Sequence, residues 1–147
     1  MLKGSFLIAL DGIQDPGNLG TIIRTADWFG LNTIICSNDT AEAYNPKVVQ
    51  ASMGSLARMN VIYTDLGDFL KETELPVFGA LLNGKSIYET DFGREGIILL
   101  GNEGNGISHK LMDMISYPVT IPRFGKAESL NVAISASIFC SEIRRKS

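Results

Sequence analysis

The sequence predicts an α/β fold in which a mostly parallel sheet of about six strands carries helices on both faces. Short apolar segments alternate with segments of helical periodicity, the order expected when helices connect parallel strands. The apolar segments are continuous rather than alternating, as expected for strands that are covered on both sides. The 147 residues are enough for one compact core, so we expect residues 1–147 to form a single domain.

The predicted strands are short apolar runs, each followed by polar or turn-forming residues. They span residues 6–10, 33–36, 59–63, 77–82, 97–100 and 118–121. The first helix is predicted to follow the turn at residues 15–18 and to stop at Gly30, because glycine favours the position after a helix end. Arg24 and Trp28 fall on one side of this helix. Its apolar residues share the opposite face at helical spacing: Leu19, Ile22, Ile23, Ala26 and Phe29.

A second helix is predicted to begin at Pro46 with Asn45 as its N-cap, and shorter helices fit residues 66–72 and 108–114. The last helix is predicted over residues 129–145, with Ser129 as a possible N-cap. It carries no charge from residue 129 to residue 141, which indicates burial on most sides. Such a helix suits a subunit interface as well as the core, although burial within its own domain would also explain it.

The net charge of the chain bears on whether it binds nucleic acid. A net charge of −3 counts against a strong, sequence-independent nucleic-acid binder, because phosphates are bound mainly by Lys and Arg. If the substrate is RNA, the basic surface must be local, formed by dimerisation, or supplied by another segment.

The cysteines and the histidine indicate no metal site. Cys36 and Cys140 have no CxxC partner, and we expect both to be buried free thiols. We expect His109 to be a surface residue, so no Cys/His cluster is available to bind a metal.

The location predicted from the sequence is cytoplasmic. No apolar run reaches the roughly 18 residues of a membrane helix. The run at residues 6–10 is too short for a signal peptide. We therefore expect no membrane association.

Three polar, glycine-rich segments follow predicted strands, at residues 11–20, 101–106 and 121–131. Ligands of open α/β sheets bind beyond the carboxyl ends of strands, so these segments are candidates for one site. Each alone is weak evidence. Residues 101–106 match neither the dinucleotide-binding glycine pattern nor a P-loop, and Asp-Pro-Gly-Asn is first of all a turn.

Together and in this order, the segments resemble the three motifs of the SpoU/TrmH family of RNA ribose methyltransferases. The motifs read LDGIQDPGNLGTIIRTA at residues 10–26, LLGNEGNGI at residues 99–107, and IP followed by ESLNVA at residues 121–122 and 128–133. Residues 47–56 are also similar to the connecting helix of that family. The resemblance covers nearly the whole chain.

The resemblance implies a deep trefoil knot in the C-terminal part of the sheet domain, the fold of the SPOUT superfamily. It implies S-adenosylmethionine as the methyl donor, no metal, and rRNA or tRNA as substrate, with rRNA favoured. It also implies a homodimer through the first and last helices, consistent with the uncharged last helix and with Trp28. Many members carry an additional N-terminal RNA-binding domain, which we expect to be absent from residues 1–147; the chain would be an excised catalytic domain or a minimal member.

By the same resemblance, specific residues receive roles. The polar catalytic site would consist of Asn18, Arg24, Glu103, Ser129 and Asn131. The donor's adenosine would be held near Leu100, Gly101, Ile121 and Leu130. Arg24, together with Arg123 and Lys126 of the third segment, would meet RNA phosphate, although a solvated surface role fits Arg123 and Lys126 equally.

The role of Arg24 has two interpretations. The family proposal makes the matching arginine the base that removes the hydroxyl proton. Arginine keeps its own proton in proteins, so we favour a cation that clamps the phosphate and stabilises the developing oxyanion. The proton would then pass to phosphate, water or Ser129.

Two other functions are compatible with the sequence. A related knotted enzyme could methylate a base rather than a ribose, against which Asn18 and Arg24 argue. A non-catalytic nucleotide-binding or receiver-like module would need an acidic cluster, which Asp11 and Asp15 suggest only superficially.

Overall fold

The computed structural model describes residues 5–146 and has the predicted α/β architecture. All six predicted strands are present, and the bounds of most agree within one residue. The strands are β1 (Phe6–Asp11), β2 (Thr33–Cys36), β3 (Asn60–Tyr63), β4 (Val77–Ser86), β5 (Gly96–Gly101) and β6 (Tyr117–Thr120). The α-helices are α1 (Pro16–Trp28), α2 (Pro46–Ser52), α3 (Leu66–Glu72) and α4 (Val132–Arg145).

The six strands form one parallel sheet in the order β3-β2-β1-β5-β4-β6. The central strands β1 and β5 pair along their whole length, from Phe6 opposite Gly96 to Asp11 opposite Gly101. Both are buried along nearly all of their length, as predicted for strands covered on both faces. The same prediction is wrong for β3 and β6, which lie at the edges of the sheet and are partly exposed.

Helices cover both faces of the sheet, as predicted. Alternate residues of a strand point to opposite faces, so Ile8 and Leu10 pack with α1, α2 and α4, whereas Leu7 and Ala9 pack with α3. The α1 face predicted to be buried packs against the sheet, with Phe29 half-buried just beyond the helix end. Trp28 lies on the other side and is 81% exposed.

The first two helices each begin directly after a residue whose side chain caps them. Asp15 and Asn45 cap α1 and α2 ahead of Pro16 and Pro46. The last helix begins later than predicted: its cap is Asn131, whose side chain accepts from the N–H groups of Ala133 and Ile134, so the interpretation of Ser129 as N-cap is wrong.

Two other elements differ from the sequence prediction. The segment predicted as a helix over residues 108–114 is a 3-10 helix over His109–Met114. Strand β4 continues to Ser86 instead of stopping at Leu82, with an irregularity that places both Ala80 and Lys85 opposite Val119. The intervening residues bulge out of register, and Leu82 is 77% exposed as a result.

Arg144 of α4 joins the last helix to the first. Its guanidinium donates to the carbonyl oxygens of Phe29 at 2.6 Å and Gly30 at 3.2 Å. These carbonyls lie at the C-terminus of α1, where a cation is favourable. No helix in the described part of the chain is long and apolar enough to cross a membrane.

Candidate functional site

The pairing of β1 with β5 places the first two glycine-rich segments side by side. Asp11, the last residue of β1, lies opposite Gly101, the last residue of β5. The chain leaves both strands at the same edge of the sheet. We call residues 12–15 the first loop, residues 102–108 the second loop and residues 121–131 the third loop.

Asn102 organises the second loop and ties it to the first. Its side-chain oxygen accepts from the N–H groups of Gly104 at 2.8 Å and Asn105 at 3.0 Å, and its amide nitrogen donates to the carbonyl oxygen of Gly12 at 2.6 Å. The backbone of Asn102 also bridges to Gly106 in both directions. One side chain therefore fixes both the shape of the loop and its position.

Glu103 makes a second connection between the same loops. Its carboxylate accepts from the backbone N–H groups of Gln14 at 3.1 Å and Asp15 at 2.8 Å. The Asn18 amide donates to the same carboxylate at 3.4 Å. Burial raises the pKa of Glu103, but the donated N–H groups outweigh it, so the pKa lies below the ordinary value and the charged form is favoured.

Asn131 brings the third loop into this network. Its side-chain nitrogen donates to the Asn18 side-chain oxygen at 3.1 Å, while its own oxygen caps α4. A continuous hydrogen-bonded chain therefore runs from Asn131 through Asn18 to Glu103. Three of the five predicted catalytic residues, one from each motif, are connected by their side chains.

The second and third loops enclose a cavity of about 410 Å³. The bulge of β4 forms another wall, through Ala80, Leu81 and Leu82. The apolar lining also includes Val119, Ile121 and Phe139. The charged side chains of the lining are Glu103, Arg123 and Glu128. The volume lies in the usual range for small-molecule sites.

The cavity includes some of the predicted site residues and not others. All four predicted donor-binding residues line it: Leu100, Gly101, Ile121 and Leu130. Glu103, Ser129 and Arg123 line it as well. Asn18 and Asn131 are not lining residues and connect to the cavity through Glu103, and Lys126 lies in the third loop between the lining residues Arg123 and Ala127.

Arg24 is separate from this network. It lies on the exposed side of α1, six residues after Asn18, and has no hydrogen bond or ion pair with any described residue. Its side chain is therefore available to a ligand or to a second chain.

Sequence reasoning missed two parts of the site. The contribution of Leu81 and Leu82 depends on the bulge opposite Val119, which no local pattern announces. The role of Asn102 had a signal, because asparagine commonly accepts from the N–H group two residues later and here precedes Gly104 by two.

Within residues 5–146 no cluster of His, Cys, Asp and Glu could hold a metal ion. Both cysteines are buried and free, as predicted. Burial raises the pKa of the Cys36 and Cys140 thiols to about 12, so both are protonated and inert at neutral pH.

Comparisons with known proteins agree with this architecture. The model of the SpoU rRNA Methylase family matches residues 5–141. The 23S rRNA (guanosine(2553)-2′-O)-methyltransferase RlmP of Bacillus subtilis is 36% identical over 142 residues, which cover 94% of this chain and 57% of that protein. The chain thus spans less than two thirds of this relative's length.

Solved structures are similar over almost the whole chain. A protein from Porphyromonas gingivalis assigned to the TrmH family of RNA methyltransferases superposes with a TM-score of 0.92 at 46% identity, covering 98% of this chain and 61% of that one. An rRNA methyltransferase from Sinorhizobium meliloti with AdoMet bound has a TM-score of 0.91 at 35% identity, covering 97% and 56%.

We expect Glu103→Gln to destabilise the protein by about 1 kcal/mol at neutral pH, a value discounted for partial exposure. A carboxamide cannot accept from Gln14 and Asp15 with both of its ends. Because the pKa of Glu103 is lowered in the folded state, the carboxylate's contribution is complete above the ordinary value of 4.5 and is lost as pH falls through the folded-state pKa. Urea denaturation across this range measures the difference between the two proteins.

The matched control is Glu74→Gln, which replaces an exposed carboxylate outside the network. It should not change stability at neutral pH or below pH 4.5. A Glu103→Gln protein as stable as the wild type at neutral pH would show that the two backbone hydrogen bonds do not hold the loops together.

Proposed function

The chain belongs to the SpoU rRNA Methylase family, and from this premise we propose that it transfers a methyl group from S-adenosylmethionine to a ribose 2′-hydroxyl of RNA, with rRNA favoured over tRNA. The observation that carries the proposal is the hydrogen-bonded chain Asn131–Asn18–Glu103, which gathers all three motifs beside one cavity. We propose that the 147 residues are the catalytic domain of such an enzyme, working in the cytoplasm.

The cavity fits the methyl donor chemically. Aliphatic side chains such as Ile121 and Leu130 offer surfaces for an adenine ring, and the backbone of the second and third loops offers hydrogen-bonding groups for its edge. Two of the three charged side chains in the lining are carboxylates, Glu103 and Glu128, which suit a cationic donor. A triphosphate fits poorly, since Arg123 is the only basic residue in the lining.

The donor, when bound, supplies an electrophilic methyl group and needs no metal. The task of the chain is to place the 2′-oxygen in line with that methyl and to stabilise the negative charge that develops on the oxygen. The side chains of Asn18, Glu103 and Asn131 are occupied with one another, so we assign them to positioning the loops. Ser129, in the cavity lining, and Arg24 are left to meet the substrate.

Arg24 is assigned the role of a clamp. A guanidinium stays charged and presents two parallel donors to a phosphate, which would hold the nucleotide and favour ionisation of the nearby hydroxyl. Arg24 forms no hydrogen bond or salt bridge among the described residues, and its charge acts only from a distance on Asp27, whose pKa it helps to lower; its donors are therefore left for a ligand. The proton would leave to phosphate, water or Ser129.

We also propose the C-terminal knot that the resemblance implies. Strand β6 pairs with β4 at the edge of the sheet, yet the chain then returns to place α4 against α1. The third loop makes that return beside the second loop, around the cavity. This path is consistent with threading of the last segment through an earlier loop.

The homodimer is the remaining proposal from the family resemblance. The outer face of α4 is uncharged as far as Ser141 and partly apolar, with Ile134 50% exposed beside Ser137 and Ile138; Glu142 borders it at the C-terminal end. Trp28 of the neighbouring α1 is among the most exposed large apolar residues. Covering these side chains with a second copy would remove that apolar surface from water.

Replacing Gly101 tests the position of the donor site. A Cβ at Gly101 would come within 2.1 Å of the Gly106 carbonyl carbon and the Ile107 nitrogen, so Gly101→Val must push the second loop away from β5. We expect S-adenosylmethionine to bind more than about tenfold more weakly, a loss of at least about 1.4 kcal/mol. Isothermal titration calorimetry of the chain measures this affinity.

Gly125→Val is the matched control, because a Cβ at Gly125 meets open space; its donor affinity should stay at the wild-type value. A circular-dichroism melt of each variant checks folding. Wild-type affinity in Gly101→Val would place the donor elsewhere, and no binding by the wild-type chain would contradict the proposed function.

Replacing Arg24 tests the clamp. Arg24→Ala should leave stability within about 1 kcal/mol and donor affinity unchanged, because the side chain is exposed and outside the cavity. The rate of 2′-O-methylation should fall by about 100-fold or more. The readout is the 2′-O-methylated nucleoside released by digestion of rRNA that was taken from cells lacking the gene and then treated with the enzyme.

Arg24→Lys separates the two roles. A lysine retains the charge but not the planar pair of donors, so a clamp predicts poor activity at every pH. If Arg24 instead acts as a base, Arg24→Lys should retain substantial methylation activity, and its rate should increase with pH. Full activity of Arg24→Ala would remove this residue from the mechanism.

Ile134→Asp tests the dimer, since it places a charge on the uncharged part of the α4 face. We expect the wild-type chain to have twice the mass of one 16.0 kDa chain in light scattering at micromolar concentration, and Ile134→Asp to have the mass of one. Val49→Asp, at an exposed apolar position on α2, should not change the mass. A wild-type chain of 16.0 kDa would contradict the dimer.

A further inference from the structure

Phe124, in the third loop, is the most exposed large apolar residue of the described chain. Its side chain is 93% exposed, more than Trp28 or Leu82. A phenylalanine of this exposure contributes nothing to the core and leaves most of a large aromatic surface in water. Neither packing nor helix or strand formation explains why a phenylalanine occupies this position.

The fold of the third loop accounts for this exposure. Arg123 donates from its guanidinium to the carbonyl oxygen of Ala127 at 3.1 Å, which draws the two sides of a short turn together. Phe124, Gly125 and Lys126 lie between these anchor points and form the tip of the turn. Both anchor residues line the cavity, so the tip stands directly beside its entrance.

The residues beside Phe124 are cationic. Arg123 and Lys126 are both exposed, and neither forms an ion pair among residues 5–146. The acidic residue of this loop, Glu128, lines the cavity on the other side of Ala127. The tip therefore combines an aromatic face with two positive charges in a chain whose net charge is −3.

An aromatic ring flanked by cations is the combination that binds single-stranded nucleic acid. The ring stacks on an unpaired base, and the cations meet the adjoining phosphates. A partner protein or a lipid surface would need a wider apolar area than one side chain supplies.

We propose that Phe124 stacks on an unpaired RNA base next to the nucleotide whose ribose reaches the cavity entrance, while Arg123 and Lys126 hold the phosphates on either side of that base. This inference rests on the proposed function, and it adds a substrate contact in the third loop to the site already described. The stacked base orients the neighbouring ribose at the cavity entrance and favours unpaired RNA over a duplex.

The test uses the whole chain and a fluorescein-labelled single-stranded RNA of 12 nucleotides of mixed sequence. Fluorescence anisotropy at several salt concentrations gives the affinity and its dependence on salt. Phe124→Ala should weaken binding by about 5-fold to 100-fold, the range observed when one stacking residue is lost. Phe124→Trp should retain binding, because the larger ring also stacks.

The salt dependence distinguishes stacking from charge. Lys126→Ala should reduce the slope of log affinity against log salt by about 0.7, the value for one phosphate contact on a single strand. Phe124→Ala should leave that slope unchanged. Tyr44→Ala is the matched control, since Tyr44 is 74% exposed but lies outside the cavity lining, and it should bind RNA as the wild type does.

Donor binding, measured by calorimetry, separates this inference from the proposed function. We expect Phe124→Ala to bind S-adenosylmethionine with wild-type affinity. RNA affinity that is equal in Phe124→Ala and wild type overturns the inference, as does a wild-type chain that binds the donor but not the RNA. Weaker donor binding in Phe124→Ala also overturns it, because the ring would then cover the donor. Failure of the wild-type chain to bind the donor would instead overturn the proposed function.

Discussion

The carboxylate of Glu103 is the interaction on which the geometry of this site depends. It accepts from two consecutive backbone N–H groups at the start of α1 and from the side chain of Asn18, which in turn accepts from Asn131. Among the side chains, an ionised carboxylate is the one that offers two acceptor oxygens and no donor. The glutamate therefore fits a position that faces several donors at once, where a glutamine would not.

This network depends in turn on the register of the central strands. A shift of β5 by one residue relative to β1 would move Glu103 away from Gln14 and Asp15 and turn its side chain toward the other face. The register itself is set by apolar side chains that alternate between two helical layers, and Ile8 and Leu7 belong to different ones. Burial of the core thus determines the hydrogen bonds of a polar site at the edge of the sheet.

The sequence predicted those parts of the molecule that depend on local pattern. The six apolar runs, the turn at residues 15–18 and the capping residue Asn45 indicated the strands and the first two helices, and the motifs indicated every residue of the hydrogen-bonded chain. The first helix begins at Pro16, within that turn and not after it. The bulge of β4 could not be predicted, because it depends on pairing with β6, about 35 residues later. The start of α4 was misplaced because Ser129 and Asn131 are both good N-caps, and the contact with Asn18 favours the second.

The acidic composition of the chain is compatible with an RNA substrate when the positions of the charges are considered. At physiological ionic strength an exposed charge is screened beyond about 8 Å, so a phosphate responds to the side chains nearest to it and not to the net charge. Arg24 and Lys126 form no salt bridge with any described residue, whereas Asp27 is paired with Arg58 at 2.7 Å and feels the charge of Arg24 only more weakly. The negative charge therefore weakens general attraction to nucleic acid while the free cations keep their local effect. Such a surface favours an RNA whose shape brings its phosphates to those few cations.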